Sequence, residues 1–259
     1  MPKPKKHLGQ NFLYDPSILM RIANVANLSS EDTVVEIGPG HGRLTRILAE
    51  KAKRVIGIEV DRELYQKLSV DLEAYKNIEL VCGNALTYNY EELPEFKVVA
   101  NIPYYITTPI IFRLIESRKN LTSMTLTVQK EVAERIVAKP DTRDYGVLSI
   151  MVQYYAIPRL EFIIPRGAFR PVPRVDSAVL YIEVLGSPSV KVMDEKFFSM
   201  IVRTAFAQRR KTLSNALKSM SQDVKHKISL AGIDPQRRPG TLSIEEFARL
   251  SDVFYNSQI

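Results

Sequence analysis

At 259 residues with 45% hydrophobic side chains, the chain can fold as one large domain plus a smaller one. A single cysteine and three scattered histidines exclude an internal disulfide and a Cys- or His-based metal cluster, and no run of about 20 apolar residues would span a membrane. The formal charge is +7, and from Gly186 onward twelve Lys and Arg stand against seven Asp and Glu, which points to a polyanionic partner.

Met1 to His7 is Lys- and Pro-rich, without an apolar signal core. It is expected to be a mobile tail with His7 solvated, and the cytosol is the expected location. Leu8 to Leu13 mixes apolar and amide groups and reads as an ordered loop. Asp15 and Pro16 supply an N-cap and a first helical residue, and Ile18, Leu19, Ile22 and Val25 share one face of the helix that follows.

Thr33 to Thr45 reads as strand, glycine loop and helix. Gly38, Gly40 and Gly42 let the backbone turn tightly and approach a ligand closely. The next strand, Arg54 to Ile58, ends at Glu59, where a carboxylate can accept both hydroxyls of a ribose. The pattern suits a nucleoside cofactor. In the NAD fingerprint the spacing is Gly-x-Gly-x-x-Gly and a pyrophosphate sits on the helix N-terminus. Here the spacing is Gly-x-Gly-x-Gly, and Glu36 would repel a pyrophosphate but could orient a cationic methionine moiety. S-adenosyl-L-methionine is therefore favoured over NAD, with a purely structural turn as the third reading.

A helix from Asp61 to Tyr75 precedes a strand over Ile78 to Val81. Asn84 follows where a polar group can read a cofactor's adenine, and Cys82 reads as a small buried hydrophobe. The run Val98 to Ala100 reads as a buried strand that must end at Asn101, because Pro103 cannot donate to a sheet ladder. Asn101, Ile102, Pro103 and Tyr104 suit methylation of a base amine. The exocyclic nitrogen of adenine is a poor nucleophile, its lone pair being delocalised into the ring. Two acceptors aimed at its N–H bonds, the Asn101 side-chain oxygen and the Ile102 carbonyl, would localise that lone pair; Pro103 would stiffen the turn and Tyr104 would stack on the base.

Thr108 and Pro109 are expected to cap and start a helix through about Arg118, followed by a strand over Leu121 to Val128 and a helix over Gln129 to Ala138. Val147 to Ile157 is ambiguous between strand and helix. Leu160 to Ile164 and Ala178 to Val184 read as strands. Between them, Phe169 to Ser177 carries two prolines, so it is extended and stiff, and it presents Phe169 beside arginines as a base-stacking platform or as a ring packed under its own loop. After a linker at Gly186 to Ser189, helices are expected over Asp194–Ala207, Lys211–Met220, Gln222–Ala231 and Ser243–Phe254. Arg209, Arg210 and Lys211, between two of them, are candidate phosphate contacts.

Together these motifs resemble the rRNA adenine N6,N6-dimethyltransferase family, bacterial small-subunit type. His7 to Leu13 resembles its N-terminal cofactor motif, Val35 to Gly40 its glycine loop, and Asn101 to Tyr104 its catalytic Asn-Leu-Pro-Tyr, with Ile for Leu. Phe169 to Ser177 resembles its Phe-x-Pro-x-Pro-x-Val-Asp-Ser element, and Ala205 to Thr212 its C-terminal signature. Asn84 departs from the family's usual Asp, so it cannot supply negative charge to the cofactor.

The resemblance implies that Gln10, Asn11, Leu13, Glu36, Gly38, Gly40, Glu59, Asn84 and Asn101 line the cofactor pocket. It also implies that two adjacent adenosines, in a hairpin near the 3′ end of small-subunit rRNA, are dimethylated within a pre-ribosomal particle. The expected architecture is α/β: a Rossmann-like methyltransferase sheet with helices on both faces over 1–185 and a small all-α domain over 190–259, acting as a monomer without a membrane. The rivals are a large-subunit rRNA adenine methyltransferase, a non-catalytic ribosome-assembly factor and a DNA adenine methylase.

Overall fold

The computed structural model describes Lys5 and residues 8–257. The mobility expected of Met1 to His7, and the solvation of His7, fall outside the described residues apart from Lys5. Contacts divide the chain into two compact units, one of residues 1–133 and 157–186, the other of 134–156 and 187–259. The sequence placed the boundary near 185 alone; in the structure residues 134–156 join the C-terminal unit, an assignment made by contacts distant in sequence.

The first unit is built on a seven-stranded sheet. Its strands are β2 (Thr33–Ile37), β3 (Arg54–Glu59), β4 (Ile78–Cys82), β5 (Phe96–Asn101), β6 (Leu121–Gln129), β7 (Ala156–Ile164) and β9 (Ser177–Val184), in the order β4-β3-β2-β5-β6-β9-β7. The five from β4 to β6 are parallel, and β9 runs antiparallel to β6. A separate ladder pairs β1 (Phe12–Leu13) with β8 (Phe169–Arg170). The expected loop at Leu8 to Leu13 thus ends in a short strand.

Strand order runs outward from β2 through β3 to β4, then reverses to β5 and β6. The switch point between β2 and β5 opens a crevice at the strand C-termini, where open α/β sheets bind ligands. Ile37, Glu59, Cys82 and Asn101 all end strands on this edge. Helices α1 (Pro16–Val25), α2 (Arg43–Ala49), α3 (Arg62–Asp71) and α4 (Thr107–Glu116) connect the strands, and α5 (Lys130–Val137) leads out of the sheet. The Asp15 side chain caps α1 by accepting from Ser17 N, as its sequence predicts. Helix α4 begins at Thr107 without a side-chain cap, so Thr108 lies inside it rather than capping it. Cys82 is exposed, not buried, because β4 is the edge strand and none of its five residues is fully buried.

The second unit contains α6 (Val147–Tyr155), α7 (Glu195–Ala207), α8 (Leu213–Ala216), α9 (Val224–Leu230) and α10 (Ile244–Asn256). The ambiguous segment at 147–157 is helical up to Tyr155 and continues directly into β7. Tyr154 stacks on Phe198 at 4.6 Å, and Phe206 lies 5.9 Å from Phe247, so aromatic pairs tie α6 and α10 to α7. The helix expected over Lys211 to Met220 is broken into α8 and a 3-10 turn at Lys218–Met220.

Candidate active site

At the switch point, Gly38, Gly40 and Gly42 have φ of +71°, +60° and +69°, the left-handed region that side chains disfavour. A Cβ on Gly40 would meet the Phe12 ring at 2.8 Å, so no other residue fits there without displacing the N-terminal arm. The cavity above the loop, of about 160 Å³, is lined by Gly38, Gly40, Glu59, Asn84, Asn101 and Tyr104 among others.

Glu59 ends β3 with 4% of its surface exposed. Its two carboxylate oxygens accept from Gly40 N at 3.1 Å and Asp61 N at 3.0 Å. Burial raises its pKa, and the Asp61 and Gly40 amides counter the shift. Each oxygen keeps a lone pair, the geometry needed to take two vicinal hydroxyls. Asn84 also lines the cavity and is exposed, but its Oδ1 already accepts from Leu86 N at 3.0 Å.

The N-terminal arm is tied across this site. Gln10 lines the cavity; its side chain donates to Asp61 at 3.0 Å and accepts from Lys5 N at 2.7 Å, which also braces the arm. Lys5 Nζ lies 2.8 Å from Asp61 Oδ1. Burial would raise the Asp61 carboxyl, but the hydrogen bonds from Lys5 and Gln10 outweigh it and hold the group below its ordinary value. The sequence marks Asp61 only as the start of a helix; in the structure it caps that helix by accepting from Glu63 N, and its second role at the arm has no local signature.

Asn101 ends β5. Its Nδ2 donates to the Asn11 carbonyl at 3.0 Å, which fixes the amide, and its Oδ1 has no donor among the described residues. Ile102 N donates to Thr127 O at 3.1 Å, and the Ile102 side chain is 1% exposed, so the residue is pinned while its own carbonyl has no donor among the described residues. Pro103 holds φ at −57° and starts the turn that carries Tyr104. Two unengaged acceptors and a half-buried phenol ring thus stand on one wall of the cavity.

Glu36, on β2, is 2% exposed and its Oε2 has no hydrogen-bond partner. It faces a small cavity of about 40 Å³ that Gly38, Leu13 and Asn101 also line. Burial pushes its pKa up to about 8; the Thr45 hydroxyl eases the shift and Glu59 adds to it. Thr45 Oγ1 makes no hydrogen bond of good geometry among the described residues. No side-chain cation pairs with Glu36 among the described residues.

Phe169 departs from expectation. Its ring is fully buried in the core with Leu13, Leu19 and Val179, and its backbone pairs with Leu13. The segment is extended as its prolines require, but pairing with β1 turns the ring inward, so in this structure Phe169 is not an exposed stacking platform. In the second unit, Arg209, Arg210 and Lys211 lie on the exposed turn after α7. The Arg209 guanidinium donates to the carbonyls of Thr142 (3.1 Å) and Arg143, which makes it a fastener of that loop; Arg210 and Lys211 have no such bond.

The residues present fit a cationic nucleoside cofactor: an acid able to hold a ribose, glycines that leave room beside it, and a buried carboxyl that lacks a counter-charge. Sheet order, glycine loop and Asn-Ile-Pro-Tyr corner define a Rossmann-like methyltransferase dependent on S-adenosyl-L-methionine. The family model described as ribosomal RNA adenine dimethylase matches residues 1–256, and the chain belongs to that family. It is 47% identical over 261 residues to the ribosomal RNA small subunit methyltransferase A of Clostridium botulinum (strain Okra / Type B1), covering 98% of this chain and 95% of the relative. Identity is also 47% to the protein of that name from Moorella thermoacetica, over 263 residues and 96% and 91% of the two chains. Among solved structures, a dimethyladenosine transferase from Plasmodium falciparum superposes with a TM-score of 0.81 at 28% identity, covering 96% of this chain and 98% of that one. The 23S rRNA methyltransferase ErmE superposes at 0.74 with 29% identity, covering 95% and 100%.

Two substitutions report on the cofactor wall. Glu59→Ala is expected to weaken S-adenosylmethionine binding by about 2–3 kcal/mol, roughly 30- to 150-fold, because two charge-assisted hydrogen bonds are lost. Calorimetry reads this directly, and an unchanged affinity would remove the ribose role. Asn84→Asp is expected to tighten binding several-fold, since it adds a charged oxygen beyond the one held by Leu86 N. A weaker or equal dissociation constant would show that Asn84 does not meet the adenine amine.

Proposed function

We propose that the protein transfers methyl groups from S-adenosyl-L-methionine to N6 of two adjacent adenosines in a hairpin near the 3′ end of small-subunit rRNA, giving N6,N6-dimethyladenosines during ribosome biogenesis. The observation that carries this reading is the pair of unengaged acceptors, Asn101 Oδ1 and Ile102 O, beside Tyr104 at the mouth of the cofactor cavity. The cofactor supplies an electrophilic methyl group.

The chain's own residues then do the rest. Asn101 Oδ1 and the Ile102 carbonyl each take one N–H of the adenine amine and draw its nitrogen toward a tetrahedral shape, which localises the lone pair. The Asn11 carbonyl keeps the Asn101 amide from rotating. Tyr104 stacks on the base, which must leave its own stack to arrive there. No strong general base is needed, because the proton leaves easily once nitrogen carries positive charge. After the first transfer one N–H remains, and one acceptor suffices to hold it.

Arg210 and Lys211, with Arg209 holding the loop, contact RNA phosphates in this reading. The protein works in the cytosol on a pre-ribosomal particle, as a monomer; no helix of the described residues is long and apolar enough to cross a membrane. A large-subunit substrate is the nearest rival, given the likeness to ErmE, but identity to the small-subunit relatives is 47% against 29%. Tritiated methyl transfer to small and large subunits from cells that lack each mark separates them. Label is expected in the small subunit alone, and label confined to the large subunit would overturn the assignment.

A further inference from the structure

We propose that Ser177 is a positioning residue for Tyr104, holding the ring at the angle from which it meets the target base; this rests on the functional reading above. The Tyr104 hydroxyl and Ser177 Oγ lie 2.7 Å apart, across 73 residues of sequence. Among the described residues the other hydrogen bonds that hold Tyr104 are backbone ones, in the turn where Ile106 N donates to Pro103 O at 3.1 Å and Thr107 N donates to Tyr104 O. A ring tethered at one end keeps its side-chain torsions, whereas a second anchor at the phenol oxygen selects one orientation before substrate arrives.

Ser177 is suited to that task. It is fully buried, opens β9, and is paired with Gln129 of β6. Strand β6 pairs in turn with β5, where Asn101 lies opposite Thr127, so the serine and the catalytic amide share one continuous ladder. The preceding residue is pinned as well: Asp176 O accepts from Lys130 N at 3.0 Å and its Oδ1 from Arg166 N at 2.9 Å. Burial raises the Tyr104 phenol pKa, with the Ser177 bond opposing and Asp176 adding, so the hydroxyl stays protonated and able to donate.

This gives the segment from Phe169 to Ser177 a role different from the one its sequence suggests. Its first residues pair with the cofactor arm at Phe12 and Leu13, and its last holds the ring that faces the base. The segment therefore links the two halves of the site while its own aromatic ring stays in the core.

The test compares wild type, Ser177→Ala, Tyr104→Phe and the double variant. Each is assayed with unmethylated small subunits for kcat and KM, and by calorimetry for S-adenosylmethionine. Each single variant removes the same bond from opposite ends. Both are expected to lower kcat three- to tenfold, with KM and cofactor affinity within twofold of wild type, and the double variant should lose no more than either single one. Tyr104→Phe keeps the test decisive should Ser177→Ala fold poorly, since it leaves the buried position intact. A wild-type kcat in either single variant, or losses that multiply in the double variant, would overturn the proposal. A wild-type protein that methylates no subunit would overturn the functional reading itself, a result distinct from any pattern among the variants.

Discussion

Asn101→Ala is expected to reduce methyl transfer by about 100- to 1000-fold, the range seen when one oriented polar group is removed from a site of developing charge. Cofactor affinity should stay within about tenfold, roughly 1.4 kcal/mol. The separation follows from the geometry. Asn101 lines the cavity, its Nδ2 is spent on the Asn11 carbonyl, and its Oδ1, without a donor among the described residues, is the acceptor that the chemistry requires. Loss of the Asn11 bond also loosens the arm by about 1 kcal/mol, which accounts for a modest fall in cofactor affinity. Single-turnover transfer and calorimetry on the same preparation separate the two effects. Normal methylation by this variant would mean that some other group prepares the amine.

Glu36→Gln is expected to act in opposite directions on stability and on binding. The buried Glu36 carboxyl, with its pKa pushed up to about 8, is protonated in the ligand-free protein at neutral pH, whereas in the unfolded chain it ionises near 4.5. The folded state therefore binds the extra proton between those values. The stability that Glu36 contributes is full below pH about 4.5 and declines as pH rises toward 8. Glutamine does not ionise, so the variant should approach wild type near pH 4.5 and exceed it by about 3 kcal/mol at pH 7, a rise of roughly 6–12 °C in Tm. Cofactor binding should move the other way. A cation arriving beside Glu36 favours the carboxylate, so wild-type affinity should strengthen as pH rises from 6 to 8.5, while the variant binds at least tenfold more weakly and with a flat profile. Thermal melts and calorimetry across pH check both halves. A variant that melts below wild type at pH 7, or that binds with the wild-type pH dependence, would show that Glu36 is charged and paired in the free protein.

Much of this site was legible because its signals are short-range. A proline two residues after an asparagine ends β5 wherever that strand lies, and the glycine spacing with Glu59 at the next strand end marks the switch point. What escaped depended on partners far away in sequence. Strand β1 has two residues, too few for a period, and exists only because Phe169 and Arg170 pair with it. The same pairing buried the Phe169 ring, which its prolines and flanking arginines made look exposed. The acceptor that locks Asn101 is the main-chain oxygen of Asn11, and backbone carbonyls carry no residue signature. Residues 134–156 joined the helical unit through contacts such as Tyr154 with Phe198, which no local pattern announces. The exposure of Cys82 followed from β4 being an edge, a property of strand order rather than of the strand.

The most direct measurement is mass spectrometry of rRNA nucleosides after unmethylated small subunits are incubated with the protein and S-adenosylmethionine. Two N6,N6-dimethyladenosines per small-subunit rRNA are expected with wild type, and about a hundredth of that yield or less with Asn101→Ala over the same early time course. Recovery of only unmodified adenosine from the wild-type reaction, or of the modified base at the wild-type rate from the Asn101→Ala reaction, would contradict the idea that a side-chain oxygen and a neighbouring peptide oxygen prepare the base amine for attack.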